Sequence, residues 1–356
     1  MSRRTLKIAM CCLCASILLC SACKKKEPET TGKNYMSGAL VHNIPPYLYK
    51  SKTYTFTASG ITEPTEGLSY RWGATGFSPD SSFTQTFTCT APDEAGAYSI
   101  SAYVSCDEYY DNGLIQYVVV IDSLFFRCLT GIVPGTDSII DPRDGATYHT
   151  RLYGNLEWFV QNLNWGGAGN PYGKYEALGT PYGRLYSWNE ATSGMAGGKT
   201  PGVAASGLGQ GPQGVCPPGW SVPTNEDWEH LAALVNGGTP ISFFDNWNGI
   251  ADPLCVYAKL NDSYVWPYSP RNTKSNLFGW NGLPAGNSVN NGNNYGNAGN
   301  YGFWLSSSQA DDKNGYYRYI HYDINQFPYH QTDKNSFGAS VRCVRLKGGG
   351  LGGGGK

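Results

Sequence analysis

Two glycine-rich stretches come closest to spelling a cofactor site. Gly194-Met195-Ala196-Gly197-Gly198-Lys199-Thr200 nearly forms a phosphate loop, but it is one residue short and follows no hydrophobic strand. Its amides would not converge into the nest that a phosphate needs. Gly209-Gln210-Gly211-Pro212-Gln213-Gly214 matches the dinucleotide pattern by letters. Pro212 and the following Cys216-Pro217-Pro218 forbid the helix that must open there. Both stretches read as loops, and no cofactor is expected. The hydrolase elbow Gly-x-Ser-x-Gly and the zincin pattern His-Glu-x-x-His are absent, and His42, His149, His230, His321 and His330 lie scattered with no nucleophile at a readable spacing. Asp311-Asp312 and Glu226-Asp227 are carboxylate pairs of the kind that does acid/base work, but solvated surface and helix capping account for them better. An enzyme is therefore not expected, nor is a metal site, since no Cys-x-x-Cys pair or His-Cys cluster has zinc spacing.

What remains is a surface suited to recognition. Residues 281–300 contain eight Asn and five Gly, and Tyr316 to His330 contains five Tyr and two His with Asp323 and Asn325. Tyrosine offers a rigid amphipathic contact at low entropy cost, and asparagine both donates and accepts hydrogen bonds. The candidate contacts are Asn290, Asn293, Asn294, Tyr295, Tyr317, Tyr319, His321, Asp323, Asn325, Tyr329 and His330. On a strand, Tyr317, Tyr319, His321, Asp323 and Asn325 would share one face. Asn and Gly also make turns, which explains residues 290–300 without any ligand.

The elements that must carry this surface follow from length and composition. The chain has 356 residues, enough for two ordinary domains after a leader is removed. With 26 Lys+Arg against 27 Asp+Glu, a net charge of -1 and only 15% charged residues, no field exists to hold a polyanion, so nucleic acid is not expected as a partner. A hydrophobic fraction of 40% with 26 Tyr, 10 Trp and 46 Gly suits a loop-rich β or α+β protein. Arg3, Arg4 and Lys7 precede an uncharged run from Ile8 to Ala22, the layout of a secretory signal too short to span a bilayer. Of 11 cysteines, five lie at or before position 23. The other six, Cys89, Cys106, Cys128, Cys216, Cys255 and Cys343, favour disulfides in an exported protein, with 15 connectivities open.

Residues 39–122 show short alternating runs at Lys52–Thr57, Leu68–Trp72, Phe83–Thr88, Ala97–Val104 and Leu114–Ile121, separated by turn residues. Beyond Ser123 come long Gly/Asn/Tyr loops and one clear helix. Thr224-Asn225-Glu226-Asp227 signs a capping box, after which Trp228, Leu231, Leu234 and Val235 fall on one face until Asn236-Gly237-Gly238 stops it.

Several of these segments resemble known families. Cys20-Ser21-Ala22-Cys23 before Lys24-Lys25-Lys26 resembles the lipobox of a Bacteroidetes-type lipoprotein. The resemblance implies a signal peptide at 1–22, acylation of Cys23 and outer-membrane lipid as a partner, with a tether over 23–36 and display at the cell surface. Residues 37–122 resemble an immunoglobulin-like or PKD-like domain, an all-β sandwich with Trp72 in its core. Downstream, Asp141-Pro142-Arg143-Asp144-Gly145, Leu156-Glu157-Trp158, Gln161-Asn162-Leu163-Asn164 and Tyr182-Gly183-Arg184-Leu185-Tyr186-Ser187-Trp188 occur in order. They are followed by Val215-Cys216-Pro217-Pro218-Gly219-Trp220-Ser221-Val222-Pro223-Thr224, Phe303-Trp304-Leu305-Ser306-Ser307-Ser308, Tyr316-Tyr317-Arg318-Tyr319 and Ser340-Val341-Arg342-Cys343-Val344-Arg345. This series looks like the Fibrobacter succinogenes major paralogous domain, here over 123–347. Val222-Pro223-Thr224 before Trp228-Glu229 is also similar to formylglycine-generating-enzyme-like proteins.

The resemblance implies an α+β C-type-lectin-like domain preceded by the all-β immunoglobulin-like sandwich. It also implies a Cys216–Cys343 disulfide; Cys128 and Cys255 would then pair by exclusion, and the two cysteines within the first domain, Cys89 and Cys106, could staple it. Trp158, Trp188, Trp220, Trp228 and Trp304 are expected in the core. The oxidase relatives use a late cysteine pair, whereas this chain has only Cys343 beyond Cys255, so that activity is not carried over. In the implied fold the C-terminal region is the exposed face, and the run from Asn287 to Asn335 resembles the variable region displayed by targets of diversity-generating retroelements. The expected function is an adhesin-like protein binding a glycan or protein. The alternatives are a structural envelope or fimbrial component and, further off, an enzyme. The Gly-rich tail, 348–356, carries no inference.

Overall fold

The computed structural model describes residues 32–121, 129–198, 207–260 and 263–347. The leader, Cys23, Cys128 and the loop residues Lys199 and Thr200 lie outside the described residues.

Alternating apolar side chains build the first part from eight strands: β1 (Ser37–His42), β2 (Tyr47–Tyr49), β3 (Thr53–Glu63), β4 (Ser69–Gly73), β5 (Ser81–Ser82), β6 (Thr86–Thr90), β7 (Gly96–Ser105) and β8 (Asn112–Ile121). They form two sheets, ordered β1-β3-β6 and β2-β8-β7-β4-β5. The period of two turns Phe56, Trp72, Phe87, Ile100 and Val118 into one shared core. Trp72 stacks on Phe87 at 5.8 Å, and its indole N–H donates to the Thr84 carbonyl at 3.0 Å, so this buried polar atom is satisfied. The expected Cys89–Cys106 staple is absent. Cys89 points into the core from β6, whereas Cys106 lies beyond the end of β7 in the other sheet, near Gly67. Burial pushes the Cys89 thiol up to about 11.

The second part adds β9 (Leu129–Thr130), β10 (Asp137–Ile140), β11 (Thr147–Tyr153), β12 (Leu156–Phe159), β13 (Asn170–Pro171), β14 (Arg184–Ser187), β15 (Lys259–Leu260) and β16 (Ser263–Tyr264). Then come β17 (Asn287–Val289), β18 (Asn294–Gly296), β19 (Tyr301–Gln309), β20 (Asn314–His321), β21 (Tyr329–Asp333), β22 (Gly338–Ala339) and β23 (Val344–Leu346). Four sheets result, ordered β10-β11-β12-β23, β13-β14-β22-β17-β18, β19-β20-β21 and β16-β15-β9. Short helices link them: α1 (Glu176–Tyr182), α2 (Trp188–Thr192), α3 (Asn225–Val235) and α4 (Ala251–Leu254). The chain is thus β-dominated with several sheets and few helices.

Every residue of β12 is buried, and β23 returns from the far end of the chain to pair with it, Trp158 opposite Val344. Trp158, Trp188, Trp220, Trp228 and Trp304 are all buried. Trp158, Trp228, Trp280, Trp304 and Phe327 pack in one cluster, Trp280 edge to face on Trp228 and Trp304, and Trp228 on α3 tilted 4.9 Å from Trp158. Ile121 of the first part joins that cluster, with Tyr47 and Val119 against its edge.

The Cys216–Cys343 disulfide is present, with a Cα–Cα distance of 5.8 Å, and ties the loop after α2 to the residue before β23. Cys255 is unpaired and fully buried. Closing 127 residues restricts the unfolded chain, so Cys343→Ser is expected to lower the unfolding free energy by about 2–5 kcal/mol. Urea titration with and without reductant checks this: wild type in reductant should match the variant, and equal stability of both forms in oxidising buffer would contradict it.

The α3 capping box forms as the sequence spelled it. The Asp227 N–H donates to Thr224 Oγ1 at 3.2 Å, and Asp227 Oδ2 accepts from the Thr224 N–H at 2.9 Å, while Oδ1 accepts from the Gly209 N–H at 2.6 Å. Burial nevertheless outweighs these donors and pushes the carboxyl up to about 6 from an ordinary 3.8. The folded state therefore holds this proton more tightly than the unfolded state. Its contribution is complete below about pH 4 and is lost as pH rises through about 6, a change of about 3 kcal/mol. Asp227→Asn is expected to remove that slope between pH 4 and 6 whatever its effect on the baseline, as read by urea unfolding at a series of pH values.

Candidate functional site

The Asn/Gly run folds into a hairpin of β17 and β18, with Val289 opposite Asn294. Its turn places Asn290, Asn291 and Gly292 at φ 52, 56 and 74 in succession. Asparagine and glycine are the residues that accept this left-handed backbone, so the composition is a conformational requirement as well as a chemical one. The Asn293 side chain donates to the Asn290 carbonyl at 2.9 Å, and Asn290, Asn291, Asn293 and Asn294 stand exposed at the tip.

The tip overhangs a groove of about 430 Å³. Its floor is three strands wide: Ser187 of β14, Gly338 of β22 and Ser288 of β17 lie side by side. A Cβ at position 338 would collide with Ser288 Oγ, so a larger residue there would displace that hydroxyl, and glycine leaves the floor open. Asn170, Asn189, Glu190, Asn291 and Asn335 form the walls. Asn189 Nδ2 donates to Asn335 Oδ1 at 2.6 Å across the groove. Glu190 accepts the Ser187 N–H at 2.8 Å in a capping box that starts α2. Tyr295 packs its ring on Tyr172 at 5.6 Å and turns its hydroxyl toward Gly292. That hydroxyl is buried and has no hydrogen-bond partner, a state that costs about 1–3 kcal/mol unless something completes it.

Beside the groove runs an aromatic row. On β20 the side chains alternate as expected: Tyr317, Tyr319 and His321 face one way, opposite Leu305, Phe303 and Tyr301 of β19. Tyr317 stacks on Phe337 at 4.7 Å and lies 5.9 Å from His330, and His321 lies 4.5 Å from Tyr301. Phe337 immediately precedes Gly338 of the groove floor, so groove and row are continuous. The row is half-buried; burial pushes the Tyr317 hydroxyl up to about 12 and lowers His321 from its ordinary value, against the opposing pull of Asp323.

Three of the expected contacts lie elsewhere. The strand ends at His321, so the alternation does not reach Asp323 or Asn325. Asp323 accepts from Ser269 Oγ at 2.7 Å and Arg271 at 3.4 Å. Asn325 Oδ1 accepts the Asp252 N–H at 2.8 Å near the start of α4, a structural bond. Tyr329 lies opposite Arg318, on the other face of the ribbon.

Sequence reading missed Asn170, Ser187, Asn189, Glu190, Ser288, Asn291 and Asn335. Ser288, Asn291 and Asn335 fall inside the Asn287–Asn335 run but carried no separate signal, and the rest come from between Asn170 and Glu190, far upstream of it. The Gly209–Gly214 stretch is an irregular loop without a helix, as Pro212 requires.

No helix among the described residues is long and apolar enough to cross a membrane. No curated protein matches the chain. The family model for the Fibrobacter succinogenes major domain matches residues 152–345, which spans the disulfide, the groove and the aromatic row. The match covers more than half of the sequence, and the chain belongs to the Fibrobacter succinogenes major domain family.

Proposed function

We propose that this is a lipid-anchored cell-envelope protein that binds a glycan or protein through the asparagine-walled groove and its aromatic row. In this reading acylated Cys23 holds the chain to the outer membrane, an immunoglobulin-like spacer over 37–122 lifts it, and a C-type-lectin-like domain over 123–347 presents the site. The observation that carries the reading is the convergence of the Asn170, Asn189, Asn291 and Asn335 amides around an open floor. Amide side chains match a ligand rich in both donors and acceptors, and tyrosine and histidine rings give it flat contacts. Glu190 is the one carboxylate among the described residues lining the groove, and it is held in a capping box, so no acid/base pair is available there. Diversification by a retroelement fits the exposed tip, whose side chains make few contacts the fold needs. A template repeat and a reverse-transcriptase gene beside the coding sequence would support it, and their absence would remove it.

An array of glycans and envelope or host proteins, probed with the full chain, tests the binding role. A discrete hit is expected, weakened about tenfold or more by Asn291→Gly, which keeps the left-handed backbone, and by Asn335→Ala, the equivalent of about 1.4 kcal/mol. Both positions are exposed, so melting temperature should stay within a few degrees. A hit that both variants retain would exclude the groove, and no hit from folded protein would favour a structural role in the envelope.

A further inference from the structure

The opposite face of the β20–β21 ribbon holds a feature that neither stability nor the groove explains. Phe244 is 53% exposed, on a loop that precedes α4. It stands against Tyr316 at 5.6 Å and 73°, and against Tyr329 at 5.3 Å and 83°, while the two tyrosines meet at 6.2 Å and 66°. Three rings thus form an edge-to-face corner. With Asn246, Gln331 and His330 they bound a cavity of about 420 Å³, within the ~300–1,000 Å³ range of small-molecule sites.

The exposed phenyl ring is held in place from beneath. Arg318, fully buried, donates to the carbonyls of Phe243 and Asp245 on either side of Phe244, the latter at 2.8 Å, and to Phe327 at 2.9 Å. Glu229 Oε1 accepts the Phe243 N–H at 2.7 Å, and Ser242 Oγ accepts that of Phe244 at 3.2 Å. A loop pinned at this many points need not leave a large apolar ring in water unless the ring meets something.

The lining tells what that partner is. Among the described residues no carboxylate, lysine or arginine lines the cavity, so neither a cation nor an anion finds a carboxylate or a basic lysine or arginine there. Among the described residues, neither the Asn246 nor the Gln331 side-chain amide is bonded to the protein. Each amide can donate and accept at once, which suits a pair of neighbouring hydroxyls, and the ring faces suit the C–H face of a saturated ring. We propose that Phe244, Tyr316 and Tyr329, with Asn246 and Gln331, form a second binding site that takes a neutral pyranose ring. It lies on the face of the ribbon opposite the Tyr317–Tyr319–His321 row and does not depend on the groove binding anything.

Titration of the isotopically labelled full chain with the methyl β-glycosides of glucose, galactose, mannose and N-acetylglucosamine at millimolar concentration tests it. At least one glycoside is expected to shift the Asn246 and Gln331 side-chain amide signals. Phe244→Ala should raise the Kd about tenfold while moving the melting temperature by no more than a few degrees, since the ring is half-exposed. Gln331→Leu should weaken binding as well, and Asn291→Gly should leave it unaltered, which separates this site from the groove. The proposal is overturned if no glycoside moves these signals, if Phe244→Ala binds as wild type does, or if only N-acetyl-leucinamide, a peptide-like apolar probe, shifts them.

Discussion

A guanidinium buried without an acid holds the second half of the chain together. Arg342 is fully buried, and its Nε donates to Asn162 Oδ1 at 2.8 Å, Nη2 to the Asn281 carbonyl at 2.8 Å, and Nη1 to the carbonyls of Trp280 and Phe159. It also lies over the Trp280 ring at 4.1 Å. Burial lowers its pKa to about 9, still above neutrality, so the cation persists and carbonyl dipoles must stabilise it. Asn162 extends the web, donating to Tyr182 O at 2.8 Å and Ser340 Oγ at 3.1 Å while accepting from the Trp304 indole at 3.0 Å. Asn281 extends it again to Val133 and Val160. A lysine could not span these acceptors, because the planar fork of donors sets their relative positions. The disulfide at Cys343 and the return strand β23 follow directly in the chain, so the network anchors the segment from which both extend.

That constraint reaches the groove through a short path. Ser340, bonded to Asn162, also exchanges backbone hydrogen bonds with Phe303 and Leu305 of β19. Gly338 lies two residues before it, between Ser187 and Ser288. The floor is therefore set by the core, while the asparagine tip is set by its own turn. A rigid floor with a replaceable rim is a sound arrangement for recognition, because the residues that touch a ligand carry little of the fold's stability.

How much of this was legible depends on how far apart the cooperating residues lie. Helix α3 was readable because Thr224, Asp227, Trp228 and Leu231 all act within three turns. The alternation of Tyr317, Tyr319 and His321 was readable because a strand has period two, and it failed at Asp323 and Asn325 where the strand ends. The Cys216–Cys343 bond came from family resemblance, since two cysteines 127 residues apart have no local signal. Cys89 and Cys106 misled because parity alone cannot show that they lie in different sheets. The groove walls were invisible, because Asn170, Asn189 and Asn335 meet only through strand register, and an isolated asparagine reads as a turn residue anywhere.

Charge placement finally limits what both surfaces can recognise. Arg318 and Arg342 turn their charge inward onto carbonyls, and Glu157 and Asp141 are buried against Arg345 and Arg143. Among the described residues, Glu190 is the one charged side chain lining the groove, and the cavity on the ribbon is lined by amides, an imidazole and aromatic rings. Recognition by such groups depends on hydrogen-bond direction and ring contact, with little long-range steering. Under this regime specificity is altered by exchanging one small polar side chain for another at a fixed backbone position. The left-handed Asn290 and Asn291 accept Gly, Asp or Asn with little strain, whereas any side chain at Gly338 must displace the Ser288 hydroxyl. Variation therefore costs less at the rim than at the floor, and the fold separates the two by only the width of one hairpin.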